Sequence, residues 1–243
     1  MLVLTLTTAL LALAHHASGH ATVFRVSVNG QDQGDGVNKY IRTPANNKPI
    51  RDLSSPFLVC NTAGGTEVGS SVKAASGDKL TFHWWHYNPD DPADYPLDPS
   101  HKGAILTWIA NYTSSDGTGA LWTKLAEEGF DGGKWATIKM IENKGAVDVQ
   151  LPKALAKGKY LIRQEIIALH MADGRGDDPA RPDRGAEFYP NCVQFEVTGD
   201  GTAVPDQEFD FNKDYKYDDK GLFFNIYIPF DKYTPPGPRP WTK

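Results

Sequence analysis

The sequence has little clustered positive charge and, beyond residue 14, no long apolar run. Its net charge is −5 and it contains no Lys/Arg cluster, so nucleic acid and anionic membranes are poor candidates for partners and a neutral partner is expected. No apolar run after residue 14 is long enough to span a bilayer, which indicates a soluble, exported product. Neither a nucleophile elbow nor a convincing carboxylate pair is present, which argues against hydrolase chemistry.

Cysteine is also scarce, because Cys60 and Cys192 are the only two in the chain. In an oxidising compartment one pairing is possible. It would close a loop of over a hundred residues, worth on the order of 4–5 kcal/mol in the chain-entropy model. The alternative is two free, buried thiols, which is less common in a secreted protein.

The first 19 residues predict a secretory signal peptide. Residues 2–14 form an almost unbroken, uncharged apolar stretch, too short to span a bilayer and placed where a signal h-region belongs. Ala17 and Gly19 are small residues at positions −3 and −1 of a cut before His20. The alanines at 12 and 14 would also support a cut before His15, and the leader lacks the usual basic residue near its start.

A cut before His20 would make histidine the first residue of the mature chain, residues 20–243. One residue would then offer two neutral nitrogen ligands, the free α-amine and the imidazole, which together can chelate a transition metal. The simpler interpretation is that His20 is only the first residue left by the signal peptidase. The leader alone favours this simpler interpretation.

Short strand patterns separated by long loops predict an all-β fold, an antiparallel β-sandwich of one domain without an appended binding module. Residues 31–56 read as a surface loop. The loops 88–103 and 173–187 are too long for plain connections, and such loops tend to carry function. Helical periodicity is scarce, with one possible turn at 151–157, and 233–238 reads as an extended tail that wraps the sandwich. The strand patterns lie at residues 22–29, Phe57–Cys60, Val68–Lys73, Lys79–Tyr87, Ala104–Ala110, Leu121–Leu125, Trp135–Met140, Val147–Leu151, Tyr160–Leu169, Phe188–Val197 and Leu222–Ile228.

The histidines differ in what their positions allow. His83 and His86 lie three apart on a strand, so they face opposite sides and do not easily share a metal; packing or hydrogen bonding among aromatics is expected for them. His101 closes the loop after Pro89 and precedes Lys102-Gly103, so it is well placed to reach a chain terminus, although most such histidines are plain surface residues.

Further polar residues lie at strand ends. His170 ends the strand Tyr160–Leu169, and Glu187 and Tyr189 stand two apart, so they face the same way on a strand. Two imidazoles and an amine suit Cu(II), with a tyrosine at a long axial position. His170 and a carboxyl or amide group would then position oxygen species by hydrogen bonds. The spacing shows only that these groups exist.

Several segments together resemble the fungal copper-dependent lytic polysaccharide monooxygenases of auxiliary activity family 9, formerly glycoside hydrolase family 61. The resemblance covers essentially the whole mature chain, and its most specific part is Ile166-Ile167-Ala168-Leu169-His170 followed by Phe188-Tyr189 and Cys192. The matching segments are residues 19–20, 24–30, 59–61, 101–103, 160–170, 185–192 and 233–238.

The resemblance implies roles for individual residues. His20, through its amine and a ring nitrogen, and His101 would hold one copper ion, with Tyr189 as the axial residue. His170 would be the outer-sphere histidine near the oxygen site. Cys60 and Cys192 would form the family's disulfide, and the fold would be an immunoglobulin-like or fibronectin-III-like sandwich.

The sequence departs from the family pattern at a few positions. Glu187 stands where the family usually has glutamine. A carboxylate accepts hydrogen bonds but donates none unless protonated, and its charge should lower the copper potential, which puts full activity in doubt more than copper binding. Ala104 replaces a common proline, Gln164 replaces a frequent histidine, and the second disulfide of many members is missing; these changes look tolerable.

The implied function is that of a secreted copper monooxygenase that cleaves the β-1,4 bonds of cellulose or a related β-glucan by C1 and/or C4 hydroxylation. It would use O2 or H2O2 and an external electron donor, a small reductant or a redox enzyme, and act as a monomer. One alternative is a secreted copper-binding protein of the same fold without polysaccharide oxidation, which Glu187 favours. Another is a carbohydrate-binding or structural sandwich without metal.

Surface features complete the expectations. A flat copper-bearing face would suit a crystalline polymer, and Tyr40, Tyr215, Tyr217 or Tyr233 could stack on its sugar rings, although loop tyrosines are more often half-packed. Asn111-Tyr112-Thr113 is the only N-x-[ST] sequon, and it predicts glycosylation of Asn111.

Overall fold

A computed structural model describes residues 20–91, 93–112 and 115–243. The predicted signal peptide, 1–19, and Thr113 of the predicted sequon lie outside these residues. No helix in the described part of the chain is long and apolar enough to cross a membrane.

In chain order the elements are β1 (Thr22–Val28), β2 (Gln31–Asp32), β3 (Ile41–Arg42), α1 (Phe57–Cys60), β4 (Val72–Ala75), β5 (Lys79–Trp85), β6 (Gly103–Asn111), β7 (Thr123–Glu128), β8 (Phe130–Asp131), β9 (Lys134–Trp135), α2 (Ala136–Glu142), β10 (Ala146–Gln150), β11 (Gly158–Ala168), β12 (Glu187–Thr198) and α3 (Phe211–Asp214).

Two sheets and a small hairpin hold these strands. The smaller sheet has the order β10-β5-β1-β2, and the larger has β3-β12-β11-β6-β7 with β4 also paired to β12. All pairs are antiparallel except β4–β12, and β8 pairs with β9 as a separate hairpin. The predicted all-β antiparallel sandwich is therefore confirmed, and its likeness to an immunoglobulin or fibronectin-III domain is approximate.

Both faces of the larger sheet are covered, which explains why β11 is buried along almost its whole length. Alternate side chains of a strand point to opposite faces. Tyr160, Ile162 and Ile166 accordingly pack into the core between the two sheets. Leu161 and Ile167 pack into a second cluster on the far face, built with α1, α3 and the C-terminal segment. A strand buried on both sides needs no polar alternation, and the three polar residues in the middle of β11, Arg163, Gln164 and Glu165, are buried as well.

Three predicted strands are wrong. Phe57–Cys60 is the helix α1, which starts directly after Pro56, a residue suited to a helix start. Most of the predicted strand at 135–140 is the helix α2, whose buried residues Ala136, Thr137 and Met140 follow helical spacing. Short apolar runs do not distinguish a strand from a buried helix by periodicity. Leu222–Ile228 forms no strand, and the predicted turn of helix at 151–157 is also wrong, because the backbone there makes bridges to residues 201 and 203.

Three of the tyrosines proposed to stack on sugar are buried, which corrects that expectation. Tyr40, Tyr215 and Tyr233 are 6%, 2% and 4% exposed. Each phenol hydroxyl donates a hydrogen bond inside the protein: to the Gly34 carbonyl at 2.6 Å, to the Glu165 carboxylate at 2.8 Å and to the Gly221 carbonyl at 2.9 Å. A buried tyrosine needs such a partner, so these rings stabilise the fold. Tyr217 is half-buried.

The far face of the larger sheet also contains the disulfide. Cys60 at the end of α1 and Cys192 on β12 are bonded, with 5.3 Å between their Cα atoms, and no cysteine is free. The buried Arg163 side chain donates to the Leu58 and Val59 carbonyls, at 2.9 and 2.6 Å, and so binds α1 to β11 beside the disulfide. The pairing implied by the family resemblance is confirmed.

Replacing both cysteines with alanine should lower the free energy of unfolding by about 2–5 kcal/mol. The bond closes a loop with a sequence separation of 132 residues, so its removal frees a large part of the unfolded chain. Urea unfolding of both proteins under oxidising conditions measures the difference. Equal midpoints and slopes would contradict it, and Phe57→Ala, an exposed neighbour on α1, controls for changes in the helix itself.

Candidate metal centre

The register of three neighbouring strands brings the predicted polar residues to one edge of the larger sheet. Ala168 of β11 pairs with Gly103 of β6 on one side and with Glu187 of β12 on the other. His101 lies two residues before Gly103, and His170 lies two residues after Ala168. The three side chains therefore reach the same place although they are far apart in sequence. His101 and His170 have ring centroids 4.1 Å apart.

Close backbone packing keeps this edge tight. A Cβ atom on Gly103 would lie 1.9 Å from the Ile167 carbonyl oxygen, so only glycine fits there. The amide of Leu169 donates to the Lys102 carbonyl at 2.8 Å, which extends the pairing beyond the strand ends. The His101 amide donates to the Asp98 carbonyl at 3.0 Å and closes the turn that carries the imidazole.

His20 reaches the site from the other sheet. It lies two residues before β1. Asn191 of β12 holds the start of that strand, because its side-chain oxygen accepts hydrogen bonds from the Thr22 hydroxyl at 2.6 Å and the Val23 amide at 3.1 Å. The sequence analysis missed Asn191. Its position two residues after Tyr189, on the same face of β12, was the available signal.

The His20 and His101 rings lie edge to face at the end of the sandwich. Their centroids are 6.4 Å apart and their planes nearly perpendicular, at 88°. Tyr189 lies 6.0 Å from His20 and 6.1 Å from His101, again between centroids. Two imidazoles bound to opposite sides of one first-row ion, at metal–nitrogen distances of about 2.0–2.1 Å, place their centroids about 6 Å apart. The observed spacing of His20 and His101 fits this arrangement.

Both imidazoles are held in the neutral form that binds metals. Burial lowers the pKa of His101 to about 4; neighbouring His170 adds to this effect and the Glu187 carboxylate opposes it. The pKa of His20 is also lowered, mainly by burial, as is that of His170. The Nδ1 atom of His170 is buried without a hydrogen-bond partner.

Glu187 is buried at the centre of the group, with its side chain only 4% exposed. One carboxylate oxygen, Oε1, accepts a hydrogen bond from the Arg51 guanidinium. The other, Oε2, accepts one from the Tyr189 hydroxyl at 2.5 Å and lies 3.6 Å from His101 Nε2 and 3.8 Å from His170 Nε2. Burial works against ionisation, but Tyr189, His170 and Arg51 together hold the pKa of Glu187 below its usual value.

Two donor sets therefore meet at this edge. His20 and His101 form the pair implied by the family resemblance. Among the described residues, His101, His170 and Glu187 also offer one ligand atom each within 4.8 Å of one another. In the second set, both Glu187 oxygens already accept hydrogen bonds, Oε1 from Arg51 and Oε2 from Tyr189. Arg51 was missed by the sequence analysis and had no motif to mark it.

The other histidines are structural, as expected. His83 Nε2 is hydrogen-bonded to the Ser27 hydroxyl at 2.8 Å, and His86 Nδ1 to the Asp94 carboxylate at 3.0 Å. The His86 ring also packs against Tyr87 and Tyr95. The two histidines share no site.

Surface tyrosines that the sequence analysis did not select lie near the centre. Tyr227 is 68% exposed, and its hydroxyl donates to the His170 carbonyl at 3.0 Å. Tyr87 is 61% exposed. The proposed Tyr217 is half-buried instead, and its hydroxyl accepts a hydrogen bond from the Leu53 amide at 3.0 Å. Exposure depends on loop packing, which no local pattern indicates.

A β-sandwich with two facing histidines at its surface edge defines a class of metalloprotein, and sequence comparison specifies it further. A sequence model of Auxiliary Activity family 9 (formerly GH61) matches residues 20–233. The chain therefore belongs to this family of fungal, copper-dependent lytic polysaccharide monooxygenases.

Individual relatives agree with this assignment. AA9 family lytic polysaccharide monooxygenase A of Collariella virescens is 54% identical over 241 residues, which cover 97% of this chain and 86% of that protein. The solved structure of CvAA9A has a TM-score of 0.87 and 53% identity, covering 91% of this chain and 98% of that one. A cellulose-active polysaccharide monooxygenase from M. thermophila has a TM-score of 0.72 and 28% identity, covering 91% and 99%. Other relatives are longer: the chain spans 63% of the monooxygenase B of Emericella nidulans, which is 42% identical over 96% of this chain.

The pKa of His101 predicts that the metal-free protein loses stability as the pH falls. The unfolded chain protonates this histidine near pH 6.5, whereas the folded chain does so only near pH 4. The unfolded state therefore binds more protons than the folded state between these two pH values. As a result, the free energy of unfolding falls by about 2–3 kcal/mol from pH 7 to pH 4.5.

Urea unfolding of the metal-free protein at both pH values measures this loss, with His101→Gln as the comparison. Between the two pH values, the free energy of unfolding of the variant should fall by about 2–3 kcal/mol less than that of the wild type, because glutamine does not titrate. An identical loss in both proteins would contradict the assignment.

Proposed function

We propose that this chain is a secreted copper monooxygenase that cleaves the β-1,4 bonds of cellulose or a related β-glucan by hydroxylation at C1 and/or C4. The observation that carries the proposal is the pair of facing, neutral imidazoles of His20 and His101, with Tyr189 as the axial residue about equally distant from both. Oxygen or peroxide and an external electron donor, a small reductant or a redox enzyme, complete the reaction. The cellulose activity stated for the M. thermophila relative supports this substrate.

One copper ion at His20 and His101 would supply one-electron redox chemistry and oxygen activation, which no amino-acid side chain provides by itself. The protein's part is to present neutral ligands and hold the surrounding polar groups. The Tyr189 phenol stays protonated, because burial and the neighbouring Glu187 charge raise its pKa well above the usual value. It is thus a neutral axial group.

His170 and Glu187 are the proposed outer-sphere residues. The His170 side chain is 16% exposed and its Nε2 lies 3.8 Å from the Glu187 carboxylate. Neutral His170 would therefore offer a hydrogen bond, through an Nε2–H, to an oxygen species bound nearby. Ionised Glu187 accepts hydrogen bonds and keeps His170 oriented.

Other properties are proposed with this function. Secretion is supported by the apolar leader, the disulfide and the start of the family match at residue 20. Asn111, the proposed glycosylation site, is exposed at the end of β6. All proposed metal donors come from one chain, which supports action as a monomer and one catalytic domain in residues 20–243. Tyr227, and Tyr87 farther along the surface, replace the buried tyrosines as candidates for stacking on sugar rings.

Copper binding should depend on a free amine at His20. The α-amine has an ordinary pKa of about 7.7–8.0 and loses its proton to a bound metal. A form that begins at Gly19 has an amide there instead. It should bind copper more weakly than the form beginning at His20. The loss of affinity should exceed about 10–100-fold, the usual cost of losing a residue that only supports a ligand.

Calorimetric copper titration of the two forms checks this, and mass spectrometry of the secreted protein identifies its natural first residue. Equal affinities would show that the amine is not a ligand. Secreted protein that begins elsewhere, for example at His15, would remove the basis of the His20 site.

The copper-loaded mature protein, given a reductant and oxygen, should release oxidised oligosaccharides from cellulose. Mass spectrometry detects them and shows whether C1 or C4 is oxidised. Glu187→Gln should release at least as much product, because it removes a negative charge beside the copper. If copper binds but neither protein yields oxidised products, the alternative holds: a secreted copper-binding protein without this activity, which ionised Glu187 favours. Absence of copper binding would leave a carbohydrate-binding or structural sandwich.

Two further variants refine the same assay. Tyr227→Ala should lower both cellulose binding and product yield, because it removes an exposed ring beside His170. Phe57→Ala removes a 46% exposed ring on α1, outside the site, and should change neither. Equal effects of the two variants would show that Tyr227 is not part of the substrate face.

A further inference from the structure

Arg51 holds a buried carboxylate beside the proposed copper site. Ile50 and Phe188 exchange two backbone hydrogen bonds of 2.9 Å each, as neighbouring antiparallel strands do. Continuing this register by one residue places Arg51 opposite Glu187, where cross-strand side chains interact directly. The Arg51 side chain is 37% exposed and that of Glu187 is 4% exposed. One guanidinium nitrogen, Nη2, donates to Glu187 Oε1.

Without this contact, Glu187 would be a strong candidate for a metal ligand. Its oxygen lies within 4.8 Å of ligand atoms of both His101 and His170, and carboxylates bind divalent metals well. Removing one partner of a buried ion pair leaves an uncompensated charge, which is costly. A metal cation at His101 would lie within reach of an unpaired Glu187, whose Oε2 is 3.6 Å from His101 Nε2, and could neutralise its charge.

The two Glu187 oxygens have separate partners. Arg51 binds Oε1, and the Tyr189 hydroxyl binds Oε2 at 2.5 Å. Together they fix the plane of the carboxylate and use a lone pair of each oxygen. A guanidinium bound to a carboxylate oxygen compensates the negative charge and fixes the orientation of the carboxylate.

We propose that Arg51 is a positioning residue that decides which donors reach the metal: by binding Glu187 Oε1 it keeps the carboxylate outside the coordination of copper. The site then uses the His20–His101 pair rather than the His101–His170–Glu187 group. This inference rests on the proposed copper site at His20.

The test compares Cu(II) electron paramagnetic resonance spectra and copper affinities of mature proteins that begin at His20. Arg51→Gln should change the spectrum to one with an added oxygen ligand and shift the affinity at least about tenfold, since supporting residues of metal sites contribute about 10–100-fold. Glu187→Gln should keep the wild-type spectrum. The double variant Arg51→Gln/Glu187→Gln should restore it, because no carboxylate remains to bind.

Two further variants control for charge and folding. Arg51→Lys keeps the positive charge and should keep the wild-type spectrum, so a change seen in Arg51→Gln but not in Arg51→Lys is assigned to the lost charge; an added oxygen ligand in Arg51→Lys would contradict the proposal. Arg184→Gln removes another partly exposed arginine, which pairs with Asp173 at 3.2 Å rather than with Glu187, and should leave the spectrum unchanged. In the metal-free protein, urea unfolding should show the double variant to be more stable than the sum of the single changes predicts.

The outcomes separate this proposal from the proposed function. An unchanged spectrum for Arg51→Gln, or an altered spectrum that persists in the double variant, would overturn the role of Arg51 while copper binding by the wild type stands. Failure of the wild-type mature protein to bind copper would overturn both.

Discussion

The pairing register of β6, β11 and β12 is the constraint on which the site depends. Gly103, Ala168 and Glu187 lie side by side in this register, so the residues just beyond the strand ends, His101 and His170, meet at the same edge. A shift of one residue would turn Glu187 and Tyr189 to the opposite face of the sheet. The buried polar residues of β11 fix the register, because any slip would take Arg163, Gln164 and Glu165 away from their hydrogen-bond partners.

The second sheet contributes the remaining proposed ligand, His20. Asn191 on β12 binds the start of β1 through two hydrogen bonds and so places His20 beside Tyr189. The proposed metal pair therefore spans the two layers of the sandwich, with one histidine from each. Such a site forms only when the sheets are packed, which couples metal binding to folding.

Charge balance at the edge is set by one carboxylate and one guanidinium. Three histidines with lowered pKa values contribute no charge at neutral pH. Glu187 is ionised, and its nearest cation is Arg51. Glu187 thus has a positive partner across the strand pair, and the net charge it adds beside the proposed metal site is smaller than the sequence alone suggested.

Sequence by itself determined the all-β class and most strand positions, and it selected the proposed site residues His20, His101, His170, Glu187 and Tyr189, because these depend on alternation and on a family pattern with fixed residues. It did not determine the helices α1 and α2, since short apolar runs fit either structure. The burial of Tyr40, Tyr215 and Tyr233, the exposure of Tyr227 and the contacts of Arg51 and Asn191 were decided only by tertiary structure. Each depends on which distant segment packs beside the residue, and this is a property of the folded chain that no local pattern contains.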